Sequence, residues 1–260
     1  MTARPPRLLI IGGTVDARRA AAALAGQGWR VTMSLAGLTA APRLPRGVEV
    51  RRGGFGGAHG LARWIEENGV RLLIDASHPF AARMGHNAHA AANLAKVPLI
   101  RLERPPWRPS PADRWITAPS LDAAAAMIPA ATRVFAALGS RGLGRLRHRG
   151  DLWLSARMLE PPAFRPPPRW RILRGGPSPS AAREAALLAA LGSELLVCRN
   201  SGGEAARAKI TAARLRRLPV LMIERPPRPR AETVTGVQAL LRRAGELGSG
   251  LNKCMDASVK

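Results

Sequence analysis

Short apolar runs, four to six residues long, alternate along this chain with longer stretches rich in Ala and Arg. Apolar runs of that length, unbroken rather than alternating with polar residues, suit strands buried on both faces of a parallel sheet. Residues 8–11, Leu-Leu-Ile-Ile, predict the first strand, Gly12-Gly13-Thr14 a tight turn, and the Ala-rich residues 17–24 a helix. Further strands are predicted over residues 30–35, 48–51, 71–76 and 97–102. Between them lie a loop with Pro42, Pro45 and Gly47, a helix over 58–68 that Gly69 stops, and a helix over 81–95.

The segment Arg104-Pro105-Pro106-Trp107-Arg108-Pro109 interrupts this rhythm. A short strand at 115–117 and a helix at 121–128 then read as a bridge, after which the alternation resumes. Strands are predicted at 134–138, 152–157, 171–174, 194–199 and 220–223. Helices are predicted over 181–191, from the Asn200-Ser201-Gly202-Gly203 turn to about 217, and over 234–247. Strands separated by helices imply an α/β protein of two Rossmann-like domains with parallel sheets, residues 1–128 and 129–247, with residues 248–260 as a disordered polar tail. Open α/β sheets bind ligands at the carboxyl ends of their strands, so the cleft between the domains is the expected site.

Composition narrows the function classes. No apolar run approaches the ~20 residues of a membrane span, and the lead before the first strand is too short for a signal peptide, so a cytoplasmic protein is expected. Two cysteines, Cys198 and Cys254, form no disulfide framework, and no His, Cys or carboxylate cluster has metal-ligand spacing, so no metal is expected. The net charge of +24 would suit a basic nucleic-acid-binding α/β protein. However, 37 of the 41 basic residues are Arg and they are dispersed, with one local knot at 141–149. Aromatics are also too few for base-stacking platforms, so a polyanionic small molecule or dinucleotide is preferred.

Three predicted strand ends in the first half carry candidate chemistry: Gly12-Gly13-Thr14, Gly53-Gly54-Phe55-Gly56-Gly57 and Ser77-His78-Pro79-Phe80. A strand, a glycine turn and a helix N-terminus together make an anion site, because backbone N–H groups and the helix dipole point at the ligand. The first of these turns equally fits an ordinary strand-to-helix connection. Four glycines in five residues speak for a neighbour or ligand at the second. An NAD-selective fold places an acid after its second strand to hold the ribose hydroxyls. Here the residues are Met33-Ser34-Leu35-Ala36-Gly37, and Arg43, Arg46, Arg51 and Arg52 lie nearby, so if a nicotinamide cofactor binds, NADPH is the expected one. His78 is a candidate proton donor or polar contact, and equally a residue that merely packs in its turn. Lys209, one of four lysines, reads on residue type as part of a solvated helix face.

Several segments in order carry a resemblance. Ile11-Gly12-Gly13-Thr14, Ser34-Leu35-Ala36-Gly37, Gly53-Gly54-Phe55-Gly56-Gly57-Ala58-His59-Gly60-Leu61, Asp75-Ala76-Ser77-His78-Pro79-Phe80-Ala81, Arg104-Pro105-Pro106-Trp107 and Asn200-Ser201-Gly202-Gly203 resemble the precorrin-6A reductase family of cobalamin biosynthesis, with its branch acting on cobalt-precorrin-6A. The resemblance implies NADPH-dependent reduction of one ring double bond in a polycarboxylate tetrapyrrole. It further implies Gly12, Gly13 and Thr14 at cofactor phosphates, Ser34 near the ribose phosphate, and Gly54, Phe55 and Gly56 lining the cofactor. Ser77 and His78, the catalytic candidates, would approach the nicotinamide with Pro79, and Asn200, Ser201 and Gly202 would face the same cleft. Neighbouring enzymes of the cobalamin pathway are further expected partners, and nucleic acid and membrane are not. Three departures stand out: Leu38 where the family has Arg, Ser77 for the commoner Thr, and Arg199 for Lys. Arg stays protonated, so Arg199 cannot serve as the acid that a Lys could be.

Overall fold

The computed structural model describes residues 5–35 and 45–257, with side chains as far as Ser249. Its elements begin with β1 (Arg7–Ile11), α1 (Val15–Gly26), β2 (Arg30–Leu35), β3 (Glu49–Arg52), α2 (Ala58–Glu67), β4 (Val70–Asp75), α3 (Ala82–Leu94) and β5 (Leu99–Leu102). There follow β6 (Trp115–Ala118), α4 (Leu121–Met127), β7 (Arg133–Ala137), α5 (Gly139–Gly144), β8 (Trp153–Met158), β9 (Trp170–Arg174), α6 (Ala181–Ala190), β10 (Leu195–Arg199), α7 (Ala208–Leu215) and β11 (Val220–Ile223). The chain closes with β12 (Glu232–Val234) and α8 (Val237–Ala257). The strands form two six-stranded parallel sheets, ordered β12-β5-β4-β1-β2-β3 and β6-β11-β10-β7-β8-β9.

Contacts divide the chain into two compact units, Met1–Arg104 with Pro227–Lys260, and Pro105–Pro226. This corrects the expected boundaries. The segment read as a bridge supplies β6, an edge strand of the second sheet, through pairing of Trp115, Ile116 and Thr117 with Val220, Leu221 and Met222. The unforeseen β12 pairs with β5 and adds an edge strand to the first sheet. The segment expected as a disordered tail is helical to Ala257. Leu240 and Ala244 of α8 lie in the first unit's core. At Gly248 the helix comes so close to Trp29 that a Cβ would sit 2.9 Å from its ring.

The alternation inside β1 explains its unbroken apolar sequence. Leu8 and Ile10 join a cluster with Leu24 of α1 and Leu240 of α8, whereas Leu9 and Ile11 join one with Leu61 of α2 and Ala88 of α3. Both faces of the strand are thus covered, and each such Leu or Ile contributes about 1.5–3 kcal/mol by its burial. The second unit is built the same way around Phe135, Leu188, Leu196 and Cys198. The helix expected from the glycine turn onward starts as a 3-10 turn at Glu204–Ala206, and α7 proper is shorter than expected. The basic knot holds the short α5. No described helix is long and apolar enough to cross a membrane.

Candidate active site

In the first sheet the strand order reverses between β4 and β1. Loops leaving the carboxyl ends of two such strands diverge and open a crevice, the usual ligand site of an open parallel sheet. Two of the three predicted loops, 12–14 and 77–80, follow these two strands, and the glycine-rich loop leaves β3.

The two loops touch where they begin, before they part. Gly12 has φ of +128°, its N–H donates to the Ser34 carbonyl at 3.1 Å, and a Cβ there would stand 2.5 Å from the Ala76 carbonyl oxygen. Gly12 is therefore required by this contact. At Gly13 a Cβ would meet the Leu35 side chain at 3.2 Å. Thr14 caps α1, its Oγ1 accepting from the Ala17 N–H at 3.1 Å. Its neighbour Asp16 is paired with Arg104 at 3.1 Å.

Ser34 is buried near the end of β2, in register with Ile11 on one side and Arg51 on the other. Arg51, expected as a source of charge for a phosphate, organises the glycine-rich loop. Its guanidinium donates to the carbonyls of Gly53 and Gly54, both at 2.8 Å, and lies 3.8 Å over the Phe55 ring. Phe55 also meets Trp64 edge-on. Gly53, Gly56 and Gly57 have positive φ, which fixes the path of the loop into α2. Gly54 differs: its φ is ordinary and a Cβ there would meet none of the described residues within 4 Å. Gly60, in the first turn of α2, faces the opposite constraint, since a Cβ there would stand 1.7 Å from the Phe55 carbonyl oxygen. The residues Ala36, Gly37, Leu38 and Arg43, which bear on the ribose phosphate, lie outside the described residues.

At the end of β4 the two catalytic candidates differ. Ser77 is held from both sides: its hydroxyl donates to Asp75 Oδ1 at 2.6 Å and accepts from Arg228 at 3.3 Å. A hydroxyl whose proton is already given to a buried carboxylate is a poor acid. His78 Nδ1 accepts from the Phe80 N–H at 3.2 Å, which puts the proton of the neutral imidazole on Nε2. Pro79 is buried. Among the described residues no three His, Cys, Asp or Glu side chains gather as a metal would need.

In the second unit, Asn200, Ser201 and Gly202 tie down the segment that enters that unit. The Asn200 amide accepts from the Trp107 N–H at 2.8 Å and donates to the Trp107 carbonyl at 3.0 Å. The Trp107 indole N–H donates to the Gly203 carbonyl at 2.9 Å. Gly202, at φ of +67°, approaches Pro105 so closely that a Cβ would stand 2.2 Å from its carbonyl oxygen. Ser201 presents its carbonyl to Arg225, and its own N–H donates to the Arg199 carbonyl. Lys209 is buried, contrary to the solvated reading: it donates to the Ala206 carbonyl at 2.9 Å and lies 4.7 Å from the Trp107 ring centre. That burial lowers its pKa.

Sequence reasoning missed Arg101, Arg225 and Arg228, and it found Trp107 only as the end of a motif without a role. A recurrence carries part of the signal: Glu103-Arg104-Pro105-Pro106 after β5 returns as Glu224-Arg225-Pro226-Pro227 after β11. These are the two places where the chain passes between its units.

Known proteins resemble this chain along most of its length. The family model described as precorrin-6x reductase CbiJ/CobK matches residues 7–244. A precorrin-6A reductase of Rhodococcus erythropolis is 43% identical over 244 residues, covering 93% of this chain and 98% of the relative. A solved structure titled CobK precorrin-6A reductase aligns with a TM-score of 0.86 at 37% identity, over 94% of this chain and 98% of that one. A cobalt-precorrin-6A reductase of Priestia megaterium is 38% identical over 98 residues, 37% of this chain and 38% of that relative.

Proposed function

The chain belongs to the precorrin-6x reductase CbiJ/CobK family of cobalamin biosynthesis, and we propose that it reduces a ring double bond of precorrin-6A with NADPH. The observation that carries this reading is the meeting of a capped helix start, Gly12–Thr14, and the Ser77–His78 loop at the strand-order reversal of one parallel sheet. The glycine-rich loop adds an outward face at Gly54 that none of the described residues fills.

The residues present suit a dinucleotide. Backbone N–H groups at the start of α1 are matched to a pyrophosphate, and Gly54 and Gly56 leave room for a ligand to approach the backbone. Between Ser34 and Glu49 the sequence has no acid that would repel a 2′-phosphate, which favours NADPH over NADH. The bound nicotinamide supplies the hydride. His78, its Nδ1 engaged as an acceptor, presents the Nε2–H to the ligand as a hydrogen-bond donor, and the proton added to the carbon beside the one reduced comes from solvent. Ser77, its hydroxyl proton engaged by Asp75, orients ligand groups as an acceptor. The Arg excess suits a polycarboxylate substrate, which guanidinium groups can bind bidentately.

The metal-free substrate is favoured over the cobalt-containing one. The relative matched along its whole length carries the precorrin-6A name, whereas the cobalt-precorrin relative matches over little more than a third of this chain. Titration with NADPH and NADH, followed by nicotinamide fluorescence, tests the cofactor, and turnover of precorrin-6A beside its cobalt form tests the substrate. NADPH is expected to bind at least about tenfold tighter than NADH. Absence of NADPH binding, or turnover of the cobalt form alone, would overturn the corresponding half of the reading.

A further inference from the structure

Asp75 ends β4 and is fully buried, so its carboxylate depends on donors and cations brought to it. Oδ1 accepts from the Ser77 N–H at 3.1 Å as well as from the Ser77 hydroxyl. Oδ2 is paired with the Arg228 guanidinium, and Arg101 Nε lies 3.8 Å away. Arg228 is 153 residues downstream, in the Pro227-Arg228-Pro229 segment by which the chain re-enters this unit. Its side chain is 5% exposed and lies flat against α3 at Gly85, where a Cβ would stand 2.4 Å from Nε. The same guanidinium donates to Ser77 Oγ, and Arg101 donates to the Pro229 carbonyl at 2.9 Å. The re-entering segment is therefore held at a side chain and at its backbone, next to the loop that bears His78.

This arrangement is costly. Among the described residues, Arg228 Nε and Nη1 and Arg101 Nε are buried without a hydrogen-bond partner. Glu103 stands 3.8 Å from Arg228 Nη1, near enough to offset charge but too far for a hydrogen bond. Each unmet buried donor costs about 1–3 kcal/mol. An apolar side chain would fill the Gly85 notch without that cost, but it could not reach both Asp75 and Ser77.

The geometry points to Arg228 as a positioning residue for the reduction. Through Asp75 and the Ser77 hydroxyl it sets the loop that presents His78, and so makes that loop depend on the segment arriving from the other end of the chain. This inference rests on the proposed reductase activity. Arg228 acts through Ser77 and touches no reacting atom.

The test uses the full-length enzyme with NADPH and precorrin-6A, and three variants. Arg228→Met removes the cation, Arg228→Lys keeps it without the fork, and Gly85→Ala displaces an intact Arg228 from its notch. NADPH affinity, kcat, KM, the pH profile and the melting temperature are measured for each. A misplacement of roughly 1 Å can cost about 100-fold in rate. Arg228→Met is expected to lower kcat by about that factor, with NADPH affinity changed less than about threefold. Arg228→Lys should recover part of the rate, and Gly85→Ala should reproduce the loss. The inference is overturned if the folded variants keep wild-type kcat, or if the losses track only the folded fraction. Should Arg228→Met not fold, Arg228→Lys and Gly85→Ala decide by the same criteria. Failure of the wild-type enzyme to bind NADPH or turn over precorrin-6A would instead refute the function on which the inference stands.

Discussion

Substituting Gly54 by Val and Gly60 by Ala probes one loop in two opposite ways. A Cβ at Gly54 meets none of the described residues within 4 Å, and its backbone φ suits any residue. The Cβ of a valine there has room, and the substitution reduces the freedom of the unfolded chain, worth about 0.4–1 kcal/mol in favour of folding. The melting temperature should hold or rise slightly. If the cofactor occupies that open space, three added carbon atoms collide with it, and a loss of about 2 kcal/mol weakens NADPH at least ~30-fold. Gly60 is different because the Phe55 carbonyl oxygen lies 1.7 Å from where its Cβ would be, against 3.4–4 Å for ordinary contact. Either the loop or the first turn of α2 must move by roughly 1.5 Å, an overpacking cost of about 1–3 kcal/mol. At about 2–4 °C per kcal/mol for a chain of this size, melting should fall by roughly 2–12 °C. Thermal denaturation and nicotinamide fluorescence read both variants. Wild-type NADPH affinity in Gly54→Val would mean that the open face of the loop is only a turn. An unchanged melting temperature in Gly60→Ala would refute the close contact itself.

Two further expectations concern the second unit. Asn200→Ala removes both bonds to the Trp107 backbone and should cost about 1–3 kcal/mol, lowering the melting temperature while leaving NADPH affinity unchanged; a fall in affinity without a fall in stability would make Asn200 a ligand contact instead. Cys198 is fully buried, and burial pushes its thiol up from 9.0 to about 11. Because the folded pKa is the higher one, the stabilising contribution is whole below pH 9 and is lost as pH rises to about 11. It amounts to about 3 kcal/mol at most, so Cys198→Ala should flatten alkaline denaturation over that window. Equal alkaline sensitivity in variant and wild type would exclude the thiol as its source.

The order of local chemistry was legible because it is written in neighbouring residues. Four apolar residues before Gly12-Gly13 specify a doubly covered strand and its turn, and the Leu8/Ile10 and Leu9/Ile11 faces meet separate clusters as that reading requires. The glycine-rich loop and the Ser77–His78 turn were likewise visible as motifs at strand ends, and both leave the carboxyl ends of the first sheet. What each motif residue does was not visible. Gly12 and Gly202 are glycines because another backbone passes within contact distance, and Arg51 closes on the carbonyls of its own loop.

Strand partnership was less legible still. Nothing within residues 115–118 marks them for the second sheet, nor residues 232–234 for the first, since an edge strand is assigned by whichever sheet offers an open edge in register. Arg228 is the sharpest case. Between two prolines it stands in a stretch for which no element was predicted, and only folding brings it across 153 positions to a buried carboxylate. Sequence specifies interactions of short range, through spacing, turns and caps. The pairing of Arg228 with Asp75 comes from packing, because the notch at Gly85 and the acid at the end of β4 exist together only once the sheet has closed around them.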